Sequence, residues 1–408
     1  MQTSNYINGQ WVAGDNTVPN INPSDTRETI GEFAQASTSQ VEEAIDAAAR
    51  AQQAWQGSGL EQRYNVLMAI GTALMDRSAQ LGELLCREEG KTLPEGKGEV
   101  YRAGQFFTYY AAEVLRQMGD ICESVRPGVE VQVTREPVGV VGIITPWNFP
   151  TALPCWKLAP AIAYGNGVVW KPANLTPASA TAIMEIIAEQ DLPDGLVNMV
   201  LGAGRSVGEA IITSRDVNAI TFTGSLATGK RIAAAAAENL TRIQMEMGSK
   251  NPLVVLDDAD LETAVACAVG GAFGSTGQKC TASSRIIVTD GIHDQFIEAM
   301  QASMTKLVVG HALDEKSNIG PAVDEAQLKQ NLHYLDVGKI EGAELVCGGE
   351  QLALHTPGHY MKPALFINGN NAMQINKDEI FGPITCVIRA GDYDEALALA
   401  NDTEFGLT

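Results

Sequence analysis

Residues 138 to 246 constrain the fold most, because short apolar runs there alternate regularly with helical stretches. Strands are read at 138–144, 167–170, 197–201, 218–222 and 242–246, with helices at 151–163, 177–190, 205–213 and 226–237 between them. A strand that is apolar almost without interruption must be covered on both faces, and a helix between successive strands provides the crossover that parallel pairing requires. The pattern predicts an α/β fold with a Rossmann-like parallel sheet.

A second α/β region follows, with strands at 252–256 and 285–289, helices at 260–272 and 292–307, and a later strand and helix around 384–400. Single hydrophobic cores stop growing beyond roughly 250 to 300 residues, so a chain of 408 residues reads as two domains, with a boundary near Gly248. Ahead of the alternating stretch, Asn8-Gly9 within Tyr6 to Val12 predicts a hairpin with a type I′ turn. Ser39 with Glu42 reads as a capping box heading a helix to about Trp55, and further helices are expected at 60–88 and 95–118. The alternation of Val129, Val131 and Val133 predicts an extended arm able to pair with another strand or another subunit.

Composition narrows the function. Lys and Arg total 28 against 49 Asp and Glu, a net charge of −21, and no Lys/Arg run offsets it, which argues against nucleic acid as a partner. The first residues have neither a basic nor an apolar signal region, and no apolar run approaches the ~20 residues a membrane helix needs, so no membrane partner is expected. The 7 cysteines are scattered, without CxxC pairs or Cys/His clusters, which fits a reducing cytoplasm and no metal site.

Ligands of such sheets bind beyond the carboxyl ends of strands, so the loops there matter most. In Thr145-Pro146-Trp147-Asn148-Phe149-Pro150, Asn148 can offer its amide to a developing negative charge, although an Asn between prolines is more often a turn residue. Thr223-Gly224-Ser225 opens a helix, whose free N–H groups favour a phosphate; it is not the GxGxxG fingerprint. Lys171 ends another strand, suited to ribose or phosphate, although an isolated lysine is more often a solvated one. Glu246 and Cys280 supply a base and a soft nucleophile, but spacing alone does not bring them together, and a buried structural role is the commoner fate of a cysteine.

Taken together and in order, Pro146-Trp147-Asn148-Phe149-Pro150, Lys171-Pro172-Ala173, Phe222-Thr223-Gly224-Ser225, Met245-Glu246-Met247-Gly248, Gly277-Gln278-Lys279-Cys280 and Glu379-Ile380-Phe381-Gly382-Pro383 resemble the NAD(P)-dependent aldehyde dehydrogenase superfamily. The resemblance runs nearly the whole chain. It implies a dinucleotide-binding domain over 1–118 and 137–248, an oligomerisation arm over 119–136 and a catalytic domain over 249–408. It implies that Cys280 is the nucleophile, that Asn148 and the Cys280 backbone N–H hold the oxyanion, and that Glu246 activates water. NAD or NADP is the implied cofactor, held by Thr145, Pro146, Trp147, Lys171, Asn174, Gly204, Gly224, Ser225, Glu379 and Phe381. Lys157 matches a supporting lysine, and the implied assembly is a homo-dimer or homo-tetramer acting on a small aldehyde.

Three departures stand out. Asn174 replaces a Glu that bonds the ribose hydroxyls in many NAD-preferring members, and Ser249 replaces a commoner Gly. Relatives also continue past the motif ending at Thr408 into further strands, a loop lining the substrate tunnel and an oligomerisation strand, so a chain ending there is expected to be less stable and weakly active. Within the superfamily, the stretches from Glu246 to Asp260 and from Cys280 to Arg285 look most like 2-oxoglutarate semialdehyde (2,5-dioxopentanoate) dehydrogenases. Trp156 stands where some succinate-semialdehyde members carry an Arg, which weakens that alternative. A cofactor-free thiol hydrolase and an inactive family member are the competing readings.

Overall fold

The computed structural model describes residues 2–116 and 119–408, so the last two positions of the helix expected at 95–118 lie outside the described residues. The chain divides into two compact units. The first runs to Asn20 and takes in Ile30–Leu85 and Lys97–Glu246; the second takes Ile21–Thr29, Cys86–Gly96 and Met247–Thr408. The division expected from sequence assigned 21–29, 86–96 and 247–248 to the first domain and set 119–136 apart as an arm, whereas 119–136 falls in the first unit and the other three segments in the second.

The first unit is built on a seven-stranded sheet in the order Arg242–Met247, Ala219–Gly224, Val140–Ile144, Gly167–Lys171, Val197–Met199, Asn5–Ile7, Gln10–Val12. Ala219–Gly224, Val140–Ile144, Gly167–Lys171 and Val197–Met199 pair in parallel, as their apolar runs predict. All five residues of Gly167–Lys171 are buried. Gly167 lets the helix Thr38–Trp55 close onto this strand, because a Cβ there would stand 2.5 Å from the Ala48 carbonyl oxygen. The N-terminal hairpin turns at Asn8 (φ 50°) and Gly9 (φ 79°) and adds antiparallel to the sheet edge, with Tyr6 opposite Met199.

Three local expectations shift. The capping box heading Thr38–Trp55 is formed by Ser37 and Gln40, not by Ser39 and Glu42. Gln serves as well as Glu at the third position, and Ser37 has the extended backbone (φ −77°, ψ 165°) that a cap needs. The helix expected at 60–88 breaks at Arg77 into Leu60–Asp76 and Ser78–Glu89. The stretch 205–213 starts as a π-helical turn over Gly204–Gly208 before becoming α-helical at Glu209–Thr213.

The arm is a two-stranded hairpin, Gly119–Glu123 antiparallel to Glu130–Thr134 with Cys122 opposite Val131. Val129, Val131 and Val133 are exposed along it, with Ile121 and Val125. In the second unit the sheet order is Asn251–Val255, Ser283–Thr289, Ile384–Ala390, Ala364–Ile367, Glu344–Cys347, parallel except for the last pair. Its core gathers Phe273, Ile286, Val288, Phe296, Met300, Leu365 and Val387, all fully buried.

Candidate functional site

In the first unit, the residues singled out by sequence lie at the ends of neighbouring sheet strands or in the loops that follow them. The loop after Val140–Ile144 carries buried Thr145 and buried Asn148. Thr145 is tied to the next strand twice: its N–H donates to the Lys171 carbonyl oxygen (3.2 Å), and its hydroxyl accepts from the Trp170 indole (3.0 Å). Glu99 fixes the far end of this loop by accepting from the Thr151 N–H (2.9 Å), the Thr151 hydroxyl (2.8 Å) and the Ala152 N–H (3.1 Å).

Lys171 is buried, donates to the Pro172 carbonyl oxygen (2.9 Å), and has its pKa lowered to about 8 by burial. Asn174 is exposed beyond it, and exposed Gly204 opens the π-helical turn with nothing within 4 Å of where a Cβ would sit. Ser225 caps the helix Leu226–Glu238 by accepting from the Thr228 N–H, which holds its hydroxyl at the mouth of that helix. A Cβ on Gly224 would stand 2.5 Å from the Phe222 ring, so the approach to this turn is closed to larger residues.

Glu246 lies exposed on Arg242–Met247, on the same face as Gln244 two residues earlier. Lys157, from the helix Ala152–Ala163, donates to Thr221 Oγ1 (2.7 Å) and Gln244 Oε1 (3.2 Å). Gln244 Nε2 in turn donates to Glu246 Oε1 (2.9 Å). Burial lowers the Lys157 pKa to about 8, against the opposing pull of Glu246.

In the second unit, the half-buried Cys280 follows a loop held in unusual backbone geometry. Ser275 (φ 51°), Thr276 (φ 57°) and Gly277 (φ 68°) are consecutive left-handed residues, two of them with side chains that resist this region. The surroundings hold them there. Glu95 accepts from the Ser275 N–H (2.7 Å), Thr276 donates to the Gly320 carbonyl (3.1 Å), and Gln278 Oε1 accepts from the Val323 N–H (2.9 Å). Asn251 Nδ2 bridges the carbonyls of Cys280 (2.7 Å) and Ala282 (3.0 Å), and its Oδ1 accepts from the Ser249 hydroxyl (2.6 Å).

Glu379 reaches the same stretch by accepting from the Ser249 N–H (3.1 Å). Its carboxylate lies on Gly248, where a Cβ would come within 1.8 Å of Oε2. Burial raises the Glu379 pKa above 4.5, against the Ser249 N–H and the nearby Lys250. Phe381 holds a left-handed φ of 62°, and with Glu379, Ser249, Gly277 and Lys279 it lines a narrow recess.

A sequence model of the aldehyde dehydrogenase family matches residues 11–408. The chain belongs to the aldehyde dehydrogenase family. It is 42% identical to the alpha-ketoglutaric semialdehyde dehydrogenase of Bacillus subtilis over 99% of this chain and 84% of that one. It is 38% identical to the alpha-ketoglutarate semialdehyde dehydrogenase of Haloferax volcanii over 100% of this chain and 85% of that one. The crystal structure of betaine aldehyde dehydrogenase from Staphylococcus aureus in complex with NAD+ superposes with a TM-score of 0.97 at 35% identity, covering 99% of this chain and 82% of that one.

As an aldehyde dehydrogenase, the protein oxidises an aldehyde to an acid with a nicotinamide dinucleotide. The loops of the first unit fit such a cofactor on their own terms. Thr176 and Thr223, flanking the Asn174 and Gly224 loops, carry buried hydroxyls without a hydrogen-bond partner among the described residues, as donors kept for a ligand would. The open turn at Gly204 and the helix mouth at Ser225 add N–H groups suited to phosphate. Among the described residues, no helix is long and apolar enough to cross a membrane, and no group of three His, Cys, Asp or Glu could hold a metal ion.

Sequence reasoning missed four residues of this aldehyde dehydrogenase. Asn251 and Glu95 hold the Cys280 loop from afar, and nothing local marks them. Lys250 is buried without a hydrogen-bond partner for its ammonium among the described residues, and its place beside a strand of apolar residues hints at this. Gln244 was legible in principle, two residues before Glu246 on a strand.

Proposed function

We propose that Cys280, Asn148 and Glu246 carry the oxidation and that the substrate is a short aldehyde with a distal carboxylate, 2-oxoglutarate semialdehyde foremost. The Cys280 thiolate adds to the aldehyde carbon, and the Asn148 amide stabilises the oxyanion that forms. Bound NAD(P)+ supplies the acceptor for the hydride that leaves this carbon as the thioester forms. Glu246 then takes a proton from water, which attacks the thioester carbon and releases the acid and the Cys280 thiolate. Glu379 and Phe381 are assigned to the nicotinamide ribose and ring, and Thr145, Pro146, Trp147, Lys171, Asn174, Gly204, Gly224 and Ser225 to the remainder of the dinucleotide.

The observation that carries the substrate is the naming of relatives at 42% and 38% identity for α-ketoglutarate semialdehyde. A carboxylated substrate needs a cation, and Arg102 supports the reading. It is exposed on the helix Leu93–Val114 and makes no hydrogen bond or ion pair among the described residues. It shares a helical stripe with Glu99, which grips Thr151, and Phe106, which packs on Trp156 at 4.7 Å between ring centroids. Arg102 thus offers a guanidinium one helical turn before Phe106, the ring that packs on Trp156.

Purified protein offered a panel of aldehydes with NAD or NADP tests this. Cys280→Ala should abolish turnover and keep cofactor binding, and Glu246→Gln should give one burst of reduced cofactor followed by slow release. 2-Oxoglutarate semialdehyde should give the highest kcat/KM of the panel, and Arg102→Met should lower that preference about tenfold. A plain alkanal used equally well removes the substrate assignment.

A further inference from the structure

We infer that Gln244 is a positioning residue that locks one oxygen of Glu246 and leaves the other to accept the proton; this rests on the reading of Glu246 as the water-activating base. The geometry fixes the direction of the amide. An ammonium only donates, so the Gln244 atom 3.2 Å from Lys157 Nζ must be Oε1. Thr221 accepts from the same ammonium at 2.7 Å, which turns its own proton toward Gln244 Oε1 as a second donor. A carboxylate only accepts, so Nε2, at the other end of the amide, is the group 2.9 Å from Glu246 Oε1. A cation and an anion therefore hold the two ends of one amide, and reversing it would set like against like at both.

The elements enforce the arrangement. Gln244 and Glu246 share one face of Arg242–Met247, Thr221 lies on the neighbouring strand Ala219–Gly224, and Lys157 reaches the sheet from the helix Ala152–Ala163. Lys157 and Glu246 are the charged groups that flank Gln244. Glu246 Oε1 takes the bridge, whereas Oε2 has no hydrogen bond among the described residues. Without the bridge, an exposed glutamate would sample several rotamers, and its carboxylate would spend less time aimed at the attacking water.

Gln244→Glu tests the bridge with almost no change in volume. It keeps an acceptor for Lys157 and Thr221 but replaces the donor to Glu246 with a second carboxylate. The burst of reduced cofactor, which counts folded and acylated protein, should keep its amplitude. Steady-state kcat should fall about tenfold, and the acid limb of the kcat–pH profile should move up by about 1 pH unit, because a like charge and a lost hydrogen bond both favour the protonated carboxyl. Gln244→Met should lower kcat with a smaller shift of that limb. Unchanged kcat and acid limb in Gln244→Glu, beside a slowed Glu246→Gln, would overturn the bridge alone. An unchanged kcat in Glu246→Gln removes the base itself, and the bridge with it.

Discussion

Lys250→Met should make the protein more stable and, at the same time, a poorer binder of its cofactor. Lys250 is 1% exposed, and its ammonium has no hydrogen-bond partner among the described residues. Burial lowers its pKa from 10.5 to about 7; Cys386, Asp378 and Glu379 oppose the drop, and Arg285 adds to it. The gap between 10.5 and about 7, at about 1.4 kcal/mol per pH unit, makes charging this lysine inside the protein cost up to about 5 kcal/mol. The sign follows from where the proton sits. Below about pH 7 the folded and unfolded chains both hold it, and the folded state carries the whole penalty. Between about 7 and 10.5 the unfolded chain holds more protons than the folded one, so stability rises with pH until the penalty is gone. Methionine keeps the length of the stem without the charge. Urea unfolding should therefore show Lys250→Met more stable at pH 6, by up to about 5 kcal/mol, with the gain shrinking toward zero near pH 10. The loss appears at Glu379, whose carboxyl is already raised by burial and is held down in part by Lys250. Removing that cation should raise it further and weaken NAD(P)H binding, measured by fluorescence titration. A variant that is destabilised at pH 6, or whose stability difference does not change with pH, would refute the reasoning.

Gly277→Ala should destabilise the second unit by about 2 kcal/mol or more and remove activity with it, since the backbone is left-handed (φ 68°) and a Cβ would stand 2.2 Å from the Gly382 carbonyl oxygen. Thermal unfolding and turnover check this, and an active variant of unchanged Tm contradicts it. Asn174 is uncharged and follows Lys171 by three residues, so NADP should be accepted beside NAD, and Asn174→Glu should lower kcat/KM for NADP about tenfold more than for NAD. Rejection of NADP by the unsubstituted protein would show that the preference is set elsewhere.

Local pattern carried much of this protein in its sequence. The strands and helices from 138 to 246 form close to where apolar period predicts them, because a strand buried on both faces and a helix buried on one leave different periodicities in the chain. The family was legible too, since the short runs that hold Asn148, Glu246, Cys280 and Glu379 stand in the order that marks it, and the family match spans residues 11–408. The helix cap illustrates the limit of such signals: Ser37 and Ser39 are equally good letters, and the backbone angle at Ser37 decided between them.

Contacts between distant segments were decided by the tertiary structure alone. Glu95 and Ser275 meet from far apart in sequence and help keep the left-handed turn before Cys280; Asn251, at the start of the strand Asn251–Val255, fastens the Cys280 carbonyl. Ile21–Thr29 and Cys86–Gly96 join the second unit although both neighbours of each segment belong to the first. Neither the partner of a buried amide nor the burial of Lys250 leaves a period in the sequence. Hydrogen bonding and desolvation depend on what the folded chain brings within about 3 Å of an atom, whereas the apolar pattern that sets the strands and helices is written residue by residue.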